Sequence, residues 1–282
     1  MSRGPRERLS RLSVPRIHNE NSPQRSDIES TGAAMKIGIL GAGHIGKTLA
    51  RKLAAAGHDV TVANSRGPET IDAEALSTGA RAVSMDEALR GVDVAILSIP
   101  LNKIPGIAAL VADLPESTVV MDTSNYYPMR DERIDAIESG QVESLWVSEQ
   151  LGRPVVKAWN SIGSDSFARM GGASGTPGRI ALPVAADSDA DRKVGMALVG
   201  DTGFDAYDAG SLAESWRQQP GAPCYCTDLN LEQLPAALAA AERDRLPKRR
   251  DLSTAAIAER VGDGTTNPSA EYGVRLVRAL FM

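Results

Sequence analysis

The 282-residue chain carries 31 basic and 36 acidic residues, a net charge of −5, and 42% hydrophobic residues. That length and apolar content suffice for a full α/β core, and the mixed charge leaves no electrostatic footprint for a nucleic-acid partner. No run of about 18 apolar residues occurs, so no membrane-spanning helix is expected.

Residues 1–34 hold six arginines, four acids and several serines and prolines, without a periodic apolar face. Such a segment buries too little apolar surface to offset its ordering entropy and is expected to be disordered. It has no apolar signal core, and Glu7, Glu20, Asp27 and Glu29 make it too acidic for a transit peptide, so a cytoplasmic protein is expected. The fold is expected to start at Met35, where translation would also begin; a functional arm is the alternative. Lys36 to Leu40 then reads as a short buried strand, followed by Gly41-Ala-Gly-His-Ile-Gly46. Gly41 serves the tight turn, Gly43 the close approach of a pyrophosphate, and Gly46 the packing of the next helix on the strand. That helix carries Ile45, Leu49 and Leu53 on one face and stops at Gly57. Its N-terminus, from Ala42 through His44 to Ile45, suits an anion. His44 is expected to touch phosphate rather than to transfer protons.

Asp59 to Ala63 alternates as a second strand and ends in Asn64-Ser65-Arg66. A site choosing NAD places an acid here for the ribose 2′-OH. A hydroxyl and a guanidinium suit a 2′-phosphate instead, so NADP(H) is the expected cofactor. Residues 69–78 read as helical, 80–83 as a third strand, 85–90 as a short helix and 92–99 as a fourth strand, apolar on both faces. Its tip, Ser98-Ile99-Pro100, is expected against the cofactor, since ligands sit at the carboxyl ends of the strands. Helix 103–112 leads to a fifth strand, 118–122, whose tip carries Asn125. Asn125 either bonds a nicotinamide carboxamide or ribose, or only makes an Asx turn. A charged helix (131–139) and a linking stretch precede a sixth strand, 154–158, ending at Ala158 with Asn160 at its tip. Lys157 lies within that strand and is not read as catalytic. Further strands are expected near 180–185 and 204–207, with a helix between them starting at Ser188.

The alternation predicts an α/β doubly wound parallel sheet of order 3-2-1-4-5-6 over residues 35–211. A mainly helical extension follows over 212–282, with helices at 231–245, 253–261 and from Asn267-Pro268 to the end. The last carries Val274, Val277, Leu280 and Phe281, a face that either docks on the core or forms a homodimer. Cys224 and Cys226 are too few for structural zinc and poorly spaced for a disulfide; they read as reduced thiols, with a redox or metal role as the alternative.

Gly41-Ala-Gly-His-Ile-Gly46, Asn64-Ser-Arg66, Leu97-Ser-Ile-Pro100, Val155-Val-Lys-Ala-Trp-Asn160 and Asp208-Ala-Gly210 occur in that order. Together they resemble NADP-dependent oxidoreductases of the coenzyme F420 (deazaflavin) type. The resemblance implies cofactor contacts at Ala42 to Ile45, Ser65-Arg66, Ile99-Pro100 and Ala158. It also implies hydride transfer between NADPH and a stacked planar acceptor, F420 or a flavin, among small-molecule partners only. Here Gly-Ala-Gly replaces the Gly-Thr-Gly frequent in such reductases, and the tail after 212 is longer. Such a transfer needs positioning more than a proton donor, and Ser98, Asn125 and Asn160 supply orienting groups. A reductase of a small carbonyl or imine, and a non-catalytic NADPH sensor, are the alternatives.

Overall fold

The computed structural model describes Met1, residues 33–262 and residues 266–282. The expected disorder of residues 1–34 thus falls almost wholly outside the described residues. Six parallel strands form the main sheet: β1 (Lys36–Leu40), β2 (Asp59–Ala63), β3 (Arg81–Ala82), β4 (Val94–Leu97), β5 (Val119–Asp122) and β6 (Val156–Lys157). Their order is β3-β2-β1-β4-β5-β6, as the strand–helix alternation predicts. Ile37 lies in register with both Val60 and Val94, placing β1 and β4 at the centre.

Alternate residues feed two apolar layers. Ile37 and Ile39 pack with Leu49 and Leu53 of the first helix (His44–Ala55) on one face. Leu40 and Leu97 pack with Leu101, Ile104, Tyr126 and Trp146 on the other. Between them Gly38 must lack a side chain, since a Cβ would lie 1.9 Å from the Ala88 carbonyl oxygen. Covering both faces accounts for the unbroken apolar run of β4.

Strands β7 (Ala181–Val184) and β8 (Asp205–Asp208) pair in parallel as a separate two-stranded sheet. Their connecting helix, Asp189–Asp201, is capped by Ser188, whose side chain accepts from the Asp191 N–H. The two sheets meet where Lys157 N donates to Ala185 O at 2.8 Å and Ala185 N to Lys157 O at 3.0 Å. After β8 come a 3-10 turn (Leu212–Gln218) and helices Leu234–Ala239, Leu246–Val261 and Ala270–Phe281. Val277 and Phe281 of the last helix are buried in one cluster with Ala222, Cys224, Leu229, Leu234, Leu238 and Leu246, while Val274 and Leu280 are half-buried. Arg278 fastens the helix, donating to Thr227 O at 2.8 Å and Asp228 O at 3.1 Å.

Several elements differ from the sequence reading. Pro105 interrupts the expected helix 103–112, leaving a 3-10 stretch (Leu101–Ile107) before Ala108–Ala112. The charged helix 131–139 is two single turns, Pro128–Asp131 and Asp135–Glu138, with Glu132 at φ 60 between them. Glu143–Leu151, read as a link, is a nine-residue helix. Its buried Glu143 and Ser144 obscure the amphipathic pattern, although Gly152 in the left-handed region (φ 66) is an ordinary helix stop. The terminal helix is capped two residues later than expected, by Ser269 on Tyr272 N.

Candidate dinucleotide site

The carboxyl ends of β1, β2, β4, β5 and β6 share one edge of the sheet, and the predicted site residues sit on their tips. At the β1 tip, Gly41 is in the left-handed region (φ 109), and a Cβ there would fall 2.0 Å from Ser98 O. A Cβ at Gly46 would fall 1.9 Å from Gly41 O. The protein's own packing therefore demands both glycines. Gly43 differs: a Cβ there meets nothing within 4 Å. Its small size serves no internal contact and leaves the space a pyrophosphate would fill.

Gly43 is also the N-cap of the first helix, with no side-chain cap and no acid in the first turn. The first N–H groups and the positive dipole end are thus left for an anion. His44 is exposed, Ala42 and Ile45 half-buried. Lys47, one turn in, is held by Asp72 at 3.3 Å and Glu74 at 2.7 Å and is directed away.

At the β2 tip, Asn64 organises the loop. Its Oδ1 accepts from Arg66 N at 2.9 Å, and its Nδ2 donates to Thr70 Oγ1 at 2.9 Å. This Asx turn presents Ser65 and Arg66 as exposed side chains, and among the described residues the Arg66 guanidinium has no ion pair. At the β4 tip Ser98 N donates to Leu40 O at 2.8 Å; Ser98 and Ile99 are half-buried, Pro100 exposed.

The β5 and β6 tips are joined by side-chain amides. Asn125 Nδ2 donates to Asn160 O at 2.8 Å, and Asn160 Nδ2 donates back to Asn125 Oδ1 at 3.0 Å. Asn160 is 2% exposed and exchanges two further bonds with Gln218 of the tail, both at 2.9 Å. Tyr225, also from the tail, accepts from Asn125 Nδ2 at 3.2 Å and bonds the Tyr127 hydroxyl at 2.6 Å. Ala158 is fully buried, its N–H donating to Asp122 O at 3.2 Å, so it underlies the tips. Burial holds the Tyr127 and Tyr225 phenols well above their ordinary value of 10, and pushes the Cys224 thiol up to about 12.

Beneath the tips lies a buried charged group. Lys157 Nζ is 2.6 Å from Asp122 Oδ2, and both side chains are fully enclosed. Lys157 also donates to Ser124 O. Glu143, 3% exposed, accepts from Tyr126 N at 3.1 Å. Burial raises its carboxyl from 4.5 to about 7, against the opposing pull of Lys157, Gln219, the Tyr126 N–H and Arg250. Among the described residues no cluster of acids, histidines and cysteines could hold a metal, and no helix is long and apolar enough to cross a membrane.

Sequence reasoning missed Tyr127, Gln218 and Tyr225 as neighbours of Asn125 and Asn160. The Cys-Tyr-Cys triplet drew attention to its thiols, while its tyrosine makes the contact. Asp122, an acid ending an otherwise apolar strand, was the available signal for the buried ion pair.

Residues 36–126 match the family described as NADP oxidoreductase, coenzyme F420-dependent. The Escherichia coli K12 protein YjhV is 49% identical over 77 residues, which are 26% of this chain and 56% of that relative. The match thus spans little more than half of the curated relative's length. A hypothetical protein from Sinorhizobium meliloti superimposes with a TM-score of 0.59 at 29% identity, covering 70% of this chain and 95% of that one. A protein from Arthrobacter sp. FB24, named as a candidate F420-dependent NADP reductase, gives a TM-score of 0.53 at 18% identity over 84% and 99% of the two chains. At that identity the likeness concerns the fold.

Proposed function

We propose that the protein passes hydride between NADPH and a planar acceptor of the deazaflavin or flavin class. The observation that carries the cofactor half is the exposed Ser65–Arg66 pair on the β2 tip, facing the same edge as the open space at Gly43. The Gly41–Gly46 backbone would hold the pyrophosphate, and Ser65 and Arg66 the 2′-phosphate, as paired donors to a dianion. The Ser98–Pro100 tip lies beside this loop, and Asn125 and Asn160 mark the far end. The family description of residues 36–126 supports the acceptor class.

The cofactor, when bound, supplies the hydride; the protein's contribution is orientation. Asn125 and Asn160 are fixed by each other and by the tail, so the far end of the crevice is preorganised before any ligand enters. The test is NADPH oxidation in the presence of F420, FMN, FAD and a panel of carbonyl and imine compounds. Oxidation dependent on a planar acceptor is the expected result. Turnover with carbonyls or imines alone, or tight NADPH binding with no turnover on either panel, refutes the acceptor assignment.

A further inference from the structure

Counting donors at the β5 and β6 tips leaves one hydroxyl proton with only a sulfur acceptor. Asn125 uses both amide hydrogens, on Asn160 O and on the Tyr225 oxygen. Asn160 uses both of its own, on Asn125 Oδ1 and Gln218 O, and its Oδ1 takes Gln218 Nε2. Between the Tyr127 and Tyr225 oxygens, 2.6 Å apart, lies one proton of the two that the pair owns. The other has no carbonyl or carboxylate partner among the described residues. Tyr225 hydrogen-bonds the Cys226 sulfur, a weak acceptor that a carbonyl oxygen would outcompete.

The pair is held in place at some conformational cost. Cys226 N donates to Ser161 O at 2.8 Å, tying the tail to the β6 tip. Trp159, next to Asn160, and Cys226, next to Tyr225, both adopt φ 55. Left-handed backbone at non-glycine residues persists where the surroundings over-determine it, and such positions gather at functional sites. Placement adds a further argument. A pyrophosphate at the β1 tip and a 2′-phosphate at the β2 tip put the adenosine half of a dinucleotide over β1 and β2. The other half then falls over β4, β5 and β6, where Asn125 and Asn160 lie.

We propose that the Tyr127–Tyr225 hydroxyl pair docks the nicotinamide end, turning its second O–H from the Cys226 sulfur to the carboxamide carbonyl, so that the tail supplies part of the cofactor site. This rests on the NADP reading. It makes both tyrosines positioning residues for that ring. The Phe variants keep the ring packing and remove only the hydroxyl.

The experiment compares Tyr225→Phe and Tyr127→Phe with the unaltered chain, by calorimetric titration with two probes. NADPH carries the nicotinamide; 2′,5′-ADP carries the 2′-phosphate end without it. Loss of one neutral hydrogen bond should weaken NADPH by about three- to tenfold in each variant and leave 2′,5′-ADP unchanged. Thermal unfolding checks that the variants fold, and two variants keep the test open should one not. Equal weakening of both probes would mean a structural role, and no weakening of either would mean no contact; each overturns the proposal. If the unaltered chain binds neither probe, the NADP reading fails first and takes this one with it.

Discussion

Glu143→Gln should make the protein's stability less sensitive to pH between 5 and 8. The Glu143 carboxyl lies 3% exposed under the β5 tip, and burial lifts it from 4.5 to about 7. With the folded value above the unfolded one, the native state holds an extra proton across that interval. Its stabilising contribution is complete below 4.5 and is lost as pH rises through about 7. The gap of some 2.5 units, at 1.36 kcal/mol each, amounts to about 3 kcal/mol by pH 8, most of it lost above pH 5. Glutamine keeps an acceptor for the Tyr126 N–H and cannot titrate. Urea unfolding of both proteins at pH 5, 6, 7 and 8 reads the difference. The advantage of the variant should grow by roughly 2–3 kcal/mol across the series. Parallel pH profiles would refute the reasoning, because a carboxyl that ionises normally in the fold contributes no such slope.

Arg66→Ala should weaken NADPH binding by about ten- to a hundredfold and leave NADH unchanged, measured by fluorescence titration, since it removes one charge-assisted pair to the 2′-phosphate. Gly43→Ala and Gly46→Ala should separate ligand space from packing. The first should unfold at the same temperature yet bind NADPH about tenfold or more weakly, while the second should lose about 1–3 kcal/mol of stability from the forced contact with Gly41 O. Lys157→Met should cost about 3–5 kcal/mol in denaturant unfolding, because it strands the Asp122 carboxylate in a closed site; adding Asp122→Asn should recover part of the loss.

The β1 and β2 end of the sheet was legible in the sequence because its signals are local. Strand, glycines and helix follow one another within residues 36–55, and the Asx turn that presents Arg66 closes between Asn64 and Thr70. The far half depends on contacts between residues about 100 apart, such as Asn125 with Tyr225. No periodicity encodes those. Lys157 illustrates the second limit. A two-residue strand carries no alternation from which to read a face, so the direction of its side chain follows only once Asp122 is placed beside it. Helix Glu143–Leu151 was hidden for a related reason: a buried acid at its first turn reads as a solvent face until its neighbours are known.

The same ion pair bears on how the far half is built. Asp122 and Lys157 are register partners on β5 and β6, so the salt bridge joins residues that the backbone already sets side by side. A slip of one residue would bring Val156 or Ala158 opposite Asp122 and leave both charges buried without a partner. Only one register satisfies them, and a registry role is the best-attested use of a buried ion pair. That register also fixes the tips, because Asn160 lies three residues beyond Lys157 and Asn125 three beyond Asp122. With the strands locked, the two amides meet at 2.8 and 3.0 Å, and the tail then finds a fixed pair to bond. Polar groups that a larger apolar edge strand would not need are thus retained where two residues of strand must hold the β5 and β6 tips in place.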